Sequence, residues 1–321
     1  MPSSADDSEP ASSKASVPRS SSPPSADVKG ALASPWKPLN LPSPWATWDL
    51  ENGKVLSVTG GKHVVRLPSG IVVKRGEAAR EGEAEAMALV CTQGVPIPEL
   101  LGFYTYMDSG YLFMNNVDGV TFDKAWPHLS PEQRSSLLSS ISSVVARIHS
   151  LSRDFIGSPD GTAPTSLSVL KTRKSSLSSP RELLEHLQLE FAQRLKGNDF
   201  YTPSAAFLSL FDDPLFVTQS SFRLQHCDLA PRNILVDPVS GELKAIIDWE
   251  EAAFLPVGFE YAALRFESWL SQRAAGGKEL CEALMALATE DEKRIGEILW
   301  DDIGRFLEAV RWLEEGQSDD C

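Results

Sequence analysis

His226-Cys227-Asp228-Leu229-Ala230-Pro231-Arg232-Asn233-Ile234-Leu235-Val236, followed by Ile246-Ile247-Asp248-Trp249-Glu250, is the stretch whose reading decides the fold. It has little helical period. It reads as a loop, a strand at Ile234–Val236, a turn through Pro238–Gly241 and a second strand at Leu243–Ile247. Asp228 and Asn233 bracket a tight loop, and Asp248 ends the second strand. A hairpin brings its two ends together, so these three polar side chains can converge on one spot. Phosphoryl transfer asks a protein for a carboxylate that orients a hydroxyl and takes its proton, and for hard oxygen ligands to magnesium. Asp and Asn are ordinary turn residues one at a time. The apolar strand after Asn233 and the second before Asp248 set this string apart.

Upstream of this stretch, Lys54–Val58, His63–Leu67 and Gly70–Lys74 are short β-rich runs, broken by Thr59-Gly60-Gly61-Lys62 and by Pro68-Ser69-Gly70. An Ala- and Glu-rich helix is expected over Glu77–Val90, stopped by Gln93-Gly94. Val95-Pro96-Ile97-Pro98 is extended, because a residue before proline avoids the helical region. Two further strands fit Leu100–Tyr106 and Tyr111–Asn115. The order is three strands, a helix and two strands.

Beyond Gly119 the chain turns mainly helical. Ser130-Pro131-Glu132-Gln133 reads as a helix cap with proline at the first position and a capping-box glutamine, and Ser179-Pro180-Arg181-Glu182 repeats the signal before Leu183–Leu195. Leu137, Leu138, Ile141, Val144, Val145 and Ile148 share one helical face. Thr289 and Glu292 suit a third capping box, ahead of a stripe of Ile295, Ile298, Leu299, Ile303, Phe306, Leu307 and Val310.

Asp228-Leu229-Ala230-Pro231-Arg232-Asn233-Ile234-Leu235 followed by Ile247-Asp248-Trp249-Glu250 resembles the aminoglycoside-phosphotransferase-like kinases, in particular the fungal branch of small-molecule kinases with that fold. The resemblance spans about Lys54 to Leu313. It implies an α+β, two-lobed protein-kinase-like fold with a small β-rich N-lobe (46–117) and a larger helical C-lobe (118–315). It implies Asp228 as catalytic base, His226 beside it as support for the catalytic loop, and Asn233 and Asp248 as magnesium ligands. Lys74, ending the strand Ile71-Val72-Val73-Lys74, is implied on the α/β-phosphates, held by a helix carboxylate; Glu83 is the expected partner and Glu85 the alternative. Met114, Asn115, Asn116 and Val117 fall where the hinge should face adenine. The implied cofactors are ATP and Mg2+, and the implied partner is a small-molecule hydroxyl acceptor. A non-catalytic kinase-like nucleotide-binding scaffold is the competing reading, since function resides in the site and not in the fold. A protein kinase is disfavoured by the lack of His-Arg-Asp, Asp-Phe-Gly and Ala-Pro-Glu strings.

Four departures accompany the resemblance. Cys227 stands where glycine is usual, and is costly if that position needs positive φ. Asn115-Asn116 replaces an acidic-aromatic pair, Thr59-Gly60-Gly61-Lys62 is a poor phosphate loop, and Glu260 is the stand-in for a later Asp.

With 321 residues, 42% hydrophobic and a formal net charge of −14, the chain has the bulk for two packed lobes and lacks the basic stripe of a nucleic-acid binder. Cys91, Cys227, Cys281 and Cys321 form no CxxC pair, so a reducing compartment is expected. No apolar run is long enough to span a membrane, and Asp6, Asp7 and Glu9 stand where a signal peptide needs basic residues, so the expected location is the cytoplasm. Residues 1–45 hold nine of the 22 prolines and read as a disordered Ser/Pro-rich tail, with Trp36 and Trp45 as candidates to dock; 316–321 reads as an acidic tail. Glu279, Glu282, Glu290, Asp291, Glu297, Asp301, Asp302 and Glu308 make the last helices acidic. Any that face the cleft favour an amine-bearing acceptor.

Overall fold

A computed structural model of the chain describes residues 53–59, 62–76, 79–106, 109–165, 175–195, 201–270 and 274–316. The expected N-terminal tail with Trp36 and Trp45, Gly60-Gly61, Glu77-Ala78 and residues 317–321 lie outside them.

Lys54–Thr59 (β1), Lys62–Arg66 (β2), Ile71–Gly76 (β3), Leu100–Tyr106 (β4) and Ser109–Asn115 (β5) form an antiparallel sheet of order β1-β2-β3-β5-β4. Gly70, expected to open β3, instead sits in the turn at φ 83, where Leu67 N–H donates to Ile71 O at 2.8 Å. Its missing Cβ allows that left-handed conformation. Side chains alternate across a strand; in β3, Val72 and Lys74 therefore share a face, with Val64 of β2 directly opposite Lys74.

The helix between β3 and β4 is Glu81–Cys91 (α1). It starts later than its Ala/Glu-rich composition predicts, because Arg80 is extended at φ −122. Gly94, at φ 64, follows its end. Arg147 then clamps the exit by donating to Gln93 O at 3.2 Å and Gly94 O at 2.7 Å. Pro96 O accepts from Ile246 N–H at 2.9 Å, so the extended Val95–Pro98 segment is tied to the second lobe.

That lobe runs Val120–Thr121 (β6), Phe122–Ala125 (α2), Pro131–His149 (α3), Ser152–Arg153 (β7), Pro180–Arg194 (α4), Ala205–Ser209 (α5), Pro214–Val217 (α6), Phe222–Gln225 (β8), Ile234–Val236 (β9), Leu243–Ile246 (β10), Ala253–Leu255 (β11), Phe259–Leu270 (α7), Gly277–Met285 (α8) and Glu290–Gly316 (α9). The cap signals fold as read. Ser130 and Gln133 close a full capping box, and Thr289 and Glu292 exchange bonds of 2.7 and 3.3 Å. At α4 the box is displaced by one residue: Ser179 caps Glu182 N–H, but the Glu182 carboxylate turns back to Ser178 N–H at 2.8 Å.

β9 and β10 form the expected hairpin, joined by β6. The sheet β11-β8-β7 was not legible beforehand. In β8 the two buried apolar residues, Phe222 and Leu224, give a period too short to separate from a loop. β8 delivers the chain directly into His226. The α4–α9 side is locked by aromatics: Phe191 packs tilted against Phe306 at 4.3 Å between centroids, with Tyr201 and Phe207 around them.

Candidate active site

Lys74 on β3 is buried, and its ammonium meets three carboxylates. It lies 2.9 Å from Glu83 of α1, 2.5 Å from Asp248 and 2.9 Å from Glu250. Glu83, not Glu85, is the partner. Burial disfavours the ammonium, but Glu83, Asp248 and Glu250 outweigh it and hold the lysine pKa above its ordinary value. Glu83 is pushed up to about 7 by burial, with Asp248 and Glu250 adding to the shift against Lys74. Asp248 is also desolvated, yet Lys74 and Lys62 keep its pKa below the usual carboxylate value. Lys62, from the end of the weak glycine loop, pairs with Glu250. Glu250 and Lys62 belong to the site and were missed. The signal available was Glu250's place two residues after Asp248 on the same short turn.

Asp248 itself stands at φ 66, in the left-handed region, as the residue before a single 3-10 turn. Asp tolerates that conformation better than most residues. Behind it, Trp249 is fully buried and anchors the turn by donating from its indole nitrogen to Ile246 O at 3.0 Å.

In the loop after β8, Asp228 Oδ2 accepts from Asn233 Nδ2 at 2.7 Å, and Oδ1 accepts from Arg232 at 2.5 Å. Arg232 also grips both oxygens of buried Glu267 at 3.1 Å. Burial pushes Asp228 up to about 7, with Glu267 and Asp248 adding to it and Arg232 and Asn233 opposing.

His226, expected to support the catalytic loop, does not reach the cleft. It is fully buried. Its Nδ1 accepts from Asp228 N–H at 3.2 Å, its Nε2 faces Ile247 O at 3.2 Å, and burial lowers its pKa. A neutral ring with Nε2–H donating satisfies both contacts, so the imidazole staples the loop to the β10 end. Glu260 completes the staple by accepting from His226 N–H at 3.1 Å.

At the expected hinge, Asn115 N–H donates to Glu99 O at 3.0 Å and Asn116 N–H to Gly70 O at 3.1 Å. These two donors are therefore committed inside the protein, and Met114 belongs to strand β5. Among the described residues, Val117 N–H makes no backbone bond, and it faces the cleft with Met114, Asn115 and Asn116.

Lys62, Lys74, Glu83, Asp228, Arg232, Asn233, Asp248, Glu250, Glu267 and the hinge residues line one cleft of about 1510 Å³ between the lobes, while His226, Trp249 and Glu260 lie behind it. Val64, Val72, Leu235 and Ile247 form its apolar part near the hinge; Ala263, Phe266, Trp300, Ile303 and Leu307 line the far end. Glu251 lines it too, pushed up to about 8 by burial, Glu250 and Asp228. Of the eight acidic residues noted on the last helices, Glu308 alone lines the cleft. Several of the others bond to neighbouring helical residues. Asp302 is buried under Tyr201 and Ser204, Glu297 accepts from Tyr261 at 2.9 Å, and Glu290 pairs with Lys293 at 2.7 Å.

The model of the phosphotransferase enzyme family matches residues 47–298. The chain belongs to that family. No curated protein matches it by sequence. Among solved structures, the streptomycin–ATP ternary complex of APH(2'')-IIa is 14% identical, with a TM-score of 0.50 over 81% of this chain and 86% of that one. The Streptomyces rimosus aminoglycoside phosphotransferase APH(3'')-Id, solved with ADP and streptomycin, is 18% identical, with a TM-score of 0.43 over 81% and 93%. A Mesorhizobium loti choline/ethanolamine kinase family protein is 15% identical, with a TM-score of 0.41 over 84% and 82%. The α+β, protein-kinase-like fold, with its sheet lobe and helical lobe, is the one expected.

Cys227 adopts φ 63 next to Asp228, the strained geometry foreseen for a non-glycine residue there. A left-handed L-residue costs about 1–2 kcal/mol, and a β-branched side chain fits that region worse. Cys227→Val is expected to lower stability by about 2 kcal/mol, while Cys227→Gly, trading lost burial for lost strain, stays within about 1 kcal/mol. Urea midpoints of the two variants check this; equal midpoints would remove the backbone argument.

Proposed function

We propose that this protein is a small-molecule kinase that transfers the γ-phosphoryl group of ATP to a hydroxyl of a small-molecule acceptor in the cytoplasm. The carrying observation is the meeting across the cleft of Lys74 and Glu83 from the sheet lobe with Asp248 from the helical lobe, at 2.9 and 2.5 Å from the lysine, on the same cleft as Asp228 and Asn233. The Asp-Leu-Ala-Pro-Arg-Asn form of the loop supports a place in the fungal branch. The nucleotide lobe is assigned to residues 46–117 and the acceptor lobe to 118–315.

Val64, Val72, Leu235 and Ile247 would hold the adenine, with Val117 N–H as donor and Asn115 C=O as acceptor. Lys74, oriented by Glu83, contacts the α/β-phosphates. The donors fit magnesium. Glu83, Asp248 and Glu250 place carboxylate oxygens within 4.8 Å of one another, in excess of Lys74 and Lys62. Asn233 commits its amide nitrogen to Asp228, which leaves its carbonyl oxygen for a cation. Asp248 and Asn233 would hold the metal, which when bound neutralises charge on the transferred group. Asp228 takes the acceptor's proton. His226 and Glu260 fix the loop.

The test is a magnesium-dependent rise in melting temperature with ATP, followed by acceptor-dependent ADP release across a metabolite library. Nucleotide binding without any acceptor-dependent release would leave the scaffold reading in its place.

A further inference from the structure

Two interior glycines of α9 are unlike each other. A Cβ on Gly296 would lie 2.6 Å from the Tyr261 ring and 2.9 Å from Gly258 O, so close packing against α7 excludes any side chain there. A Cβ on Gly304 meets nothing within 4 Å among the described residues. Glycine is among the poorest residues in a helix interior, and packing gives no reason for it at 304. What Gly304 does is leave space. It lines the far end of the cleft beside Phe266 of α7 and Trp300, Ile303 and Leu307 of α9, with the Phe266 and Trp300 rings 5.8 Å apart.

Of the carboxylates that line the cleft, α7 and α9 contribute two: Glu267 engages Arg232 with both oxygens at 3.1 Å, and Glu308 stands exposed. Several ammonium groups placed against Phe266, Trp300, Ile303 and Leu307 would be desolvated without partners. An aromatic or branched aliphatic body gains by the same burial.

We infer that Gly304 is a specificity-determining position that opens an apolar acceptor bay for an alcohol on an aromatic or branched aliphatic body, carrying at most one cationic group, and not for a polycationic amino sugar. This rests on the kinase reading, which places the acceptor beside Asp228.

The test uses the full chain saturated with magnesium and a non-hydrolysable ATP analogue. The neutral apolar fluorophore N-phenyl-1-naphthylamine is titrated into wild type, Gly304→Ala and Gly304→Phe. The expected result is a Kd raised at least tenfold by Gly304→Phe and by less in Gly304→Ala, with millimolar kanamycin leaving the wild-type Kd within twofold. If the Phe variant melts early, Gly304→Leu replaces it. Probe binding indifferent to position 304, or displaced by kanamycin, overturns the inference. Nucleotide-induced stabilisation is read separately on wild type. Its absence would remove the kinase reading while the probe result still decides whether the bay exists.

Discussion

Asp228→Asn is expected to lower kcat by about 10²–10⁴-fold, the usual contribution of a positioned general base, with the KM for ATP held within about twofold. The substitution keeps side-chain shape but removes the proton acceptor. It has a structural cost as well. Both carboxylate oxygens of Asp228 face donors, Arg232 at 2.5 Å and Asn233 at 2.7 Å. An amide at 228 must turn its own NH2 toward one of them, and one bond is lost. That costs about 1–3 kcal/mol of stability for a largely buried group. The melting temperature should therefore fall modestly while turnover falls by orders of magnitude, and the two readouts separate a missing base from a damaged loop. A variant that is destabilised yet turns over the acceptor at the wild-type rate would remove Asp228 from the base role.

How much of this was legible depended on where each residue's partner lies in the sequence. The β9–β10 hairpin is local, its strands joined by one turn, and Asn233 and Asp248 at its ends could be placed together from the sequence. The cap residues Ser130, Gln133, Thr289 and Glu292 were legible for the same reason. Lys74 and Glu83 are 9 residues apart and were pairable by resemblance. Glu250 was not: its partner Lys62 is 188 positions away, and no local rule links an exposed-looking acid to a strand that distant. β7, β8 and β11 were illegible because each is too short for a period, and they exist through pairing with one another. The acidity of the last helices was a poor guide for a related reason. Composition counts carboxylates, whereas helical phase decides which of them reach the cleft, and among the described residues of α9 the cleft-facing phase carries Trp300, Ile303, Gly304, Leu307 and one acid, Glu308.

Asp248→Asn is expected to cost at least about 10³-fold in turnover, because charge stabilisation by a bound metal is worth several kcal/mol and each 1.4 kcal/mol is tenfold. Asn is a better probe than Ala here. The backbone at 248 is left-handed, φ 66, which Asn adopts about as readily as Asp whereas Ala does not. The side-chain change is then read without a backbone change. Removing this carboxylate leaves Glu83 and Glu250 balanced against Lys74 and Lys62 in place of one excess negative charge. Two effects of opposite sign follow. In chelator, ATP should bind no more weakly than to wild type, since one carboxylate repelling the phosphates is gone. In magnesium, the metal-dependent gain in nucleotide affinity should shrink, and the magnesium concentration needed for half-maximal turnover should rise. Isothermal titration with and without EDTA reads both signs in one protein. If the metal-dependent gain survives intact, the cation is held elsewhere, and Glu250, within 4.8 Å of Glu83 and Asp248, becomes the ligand to substitute next.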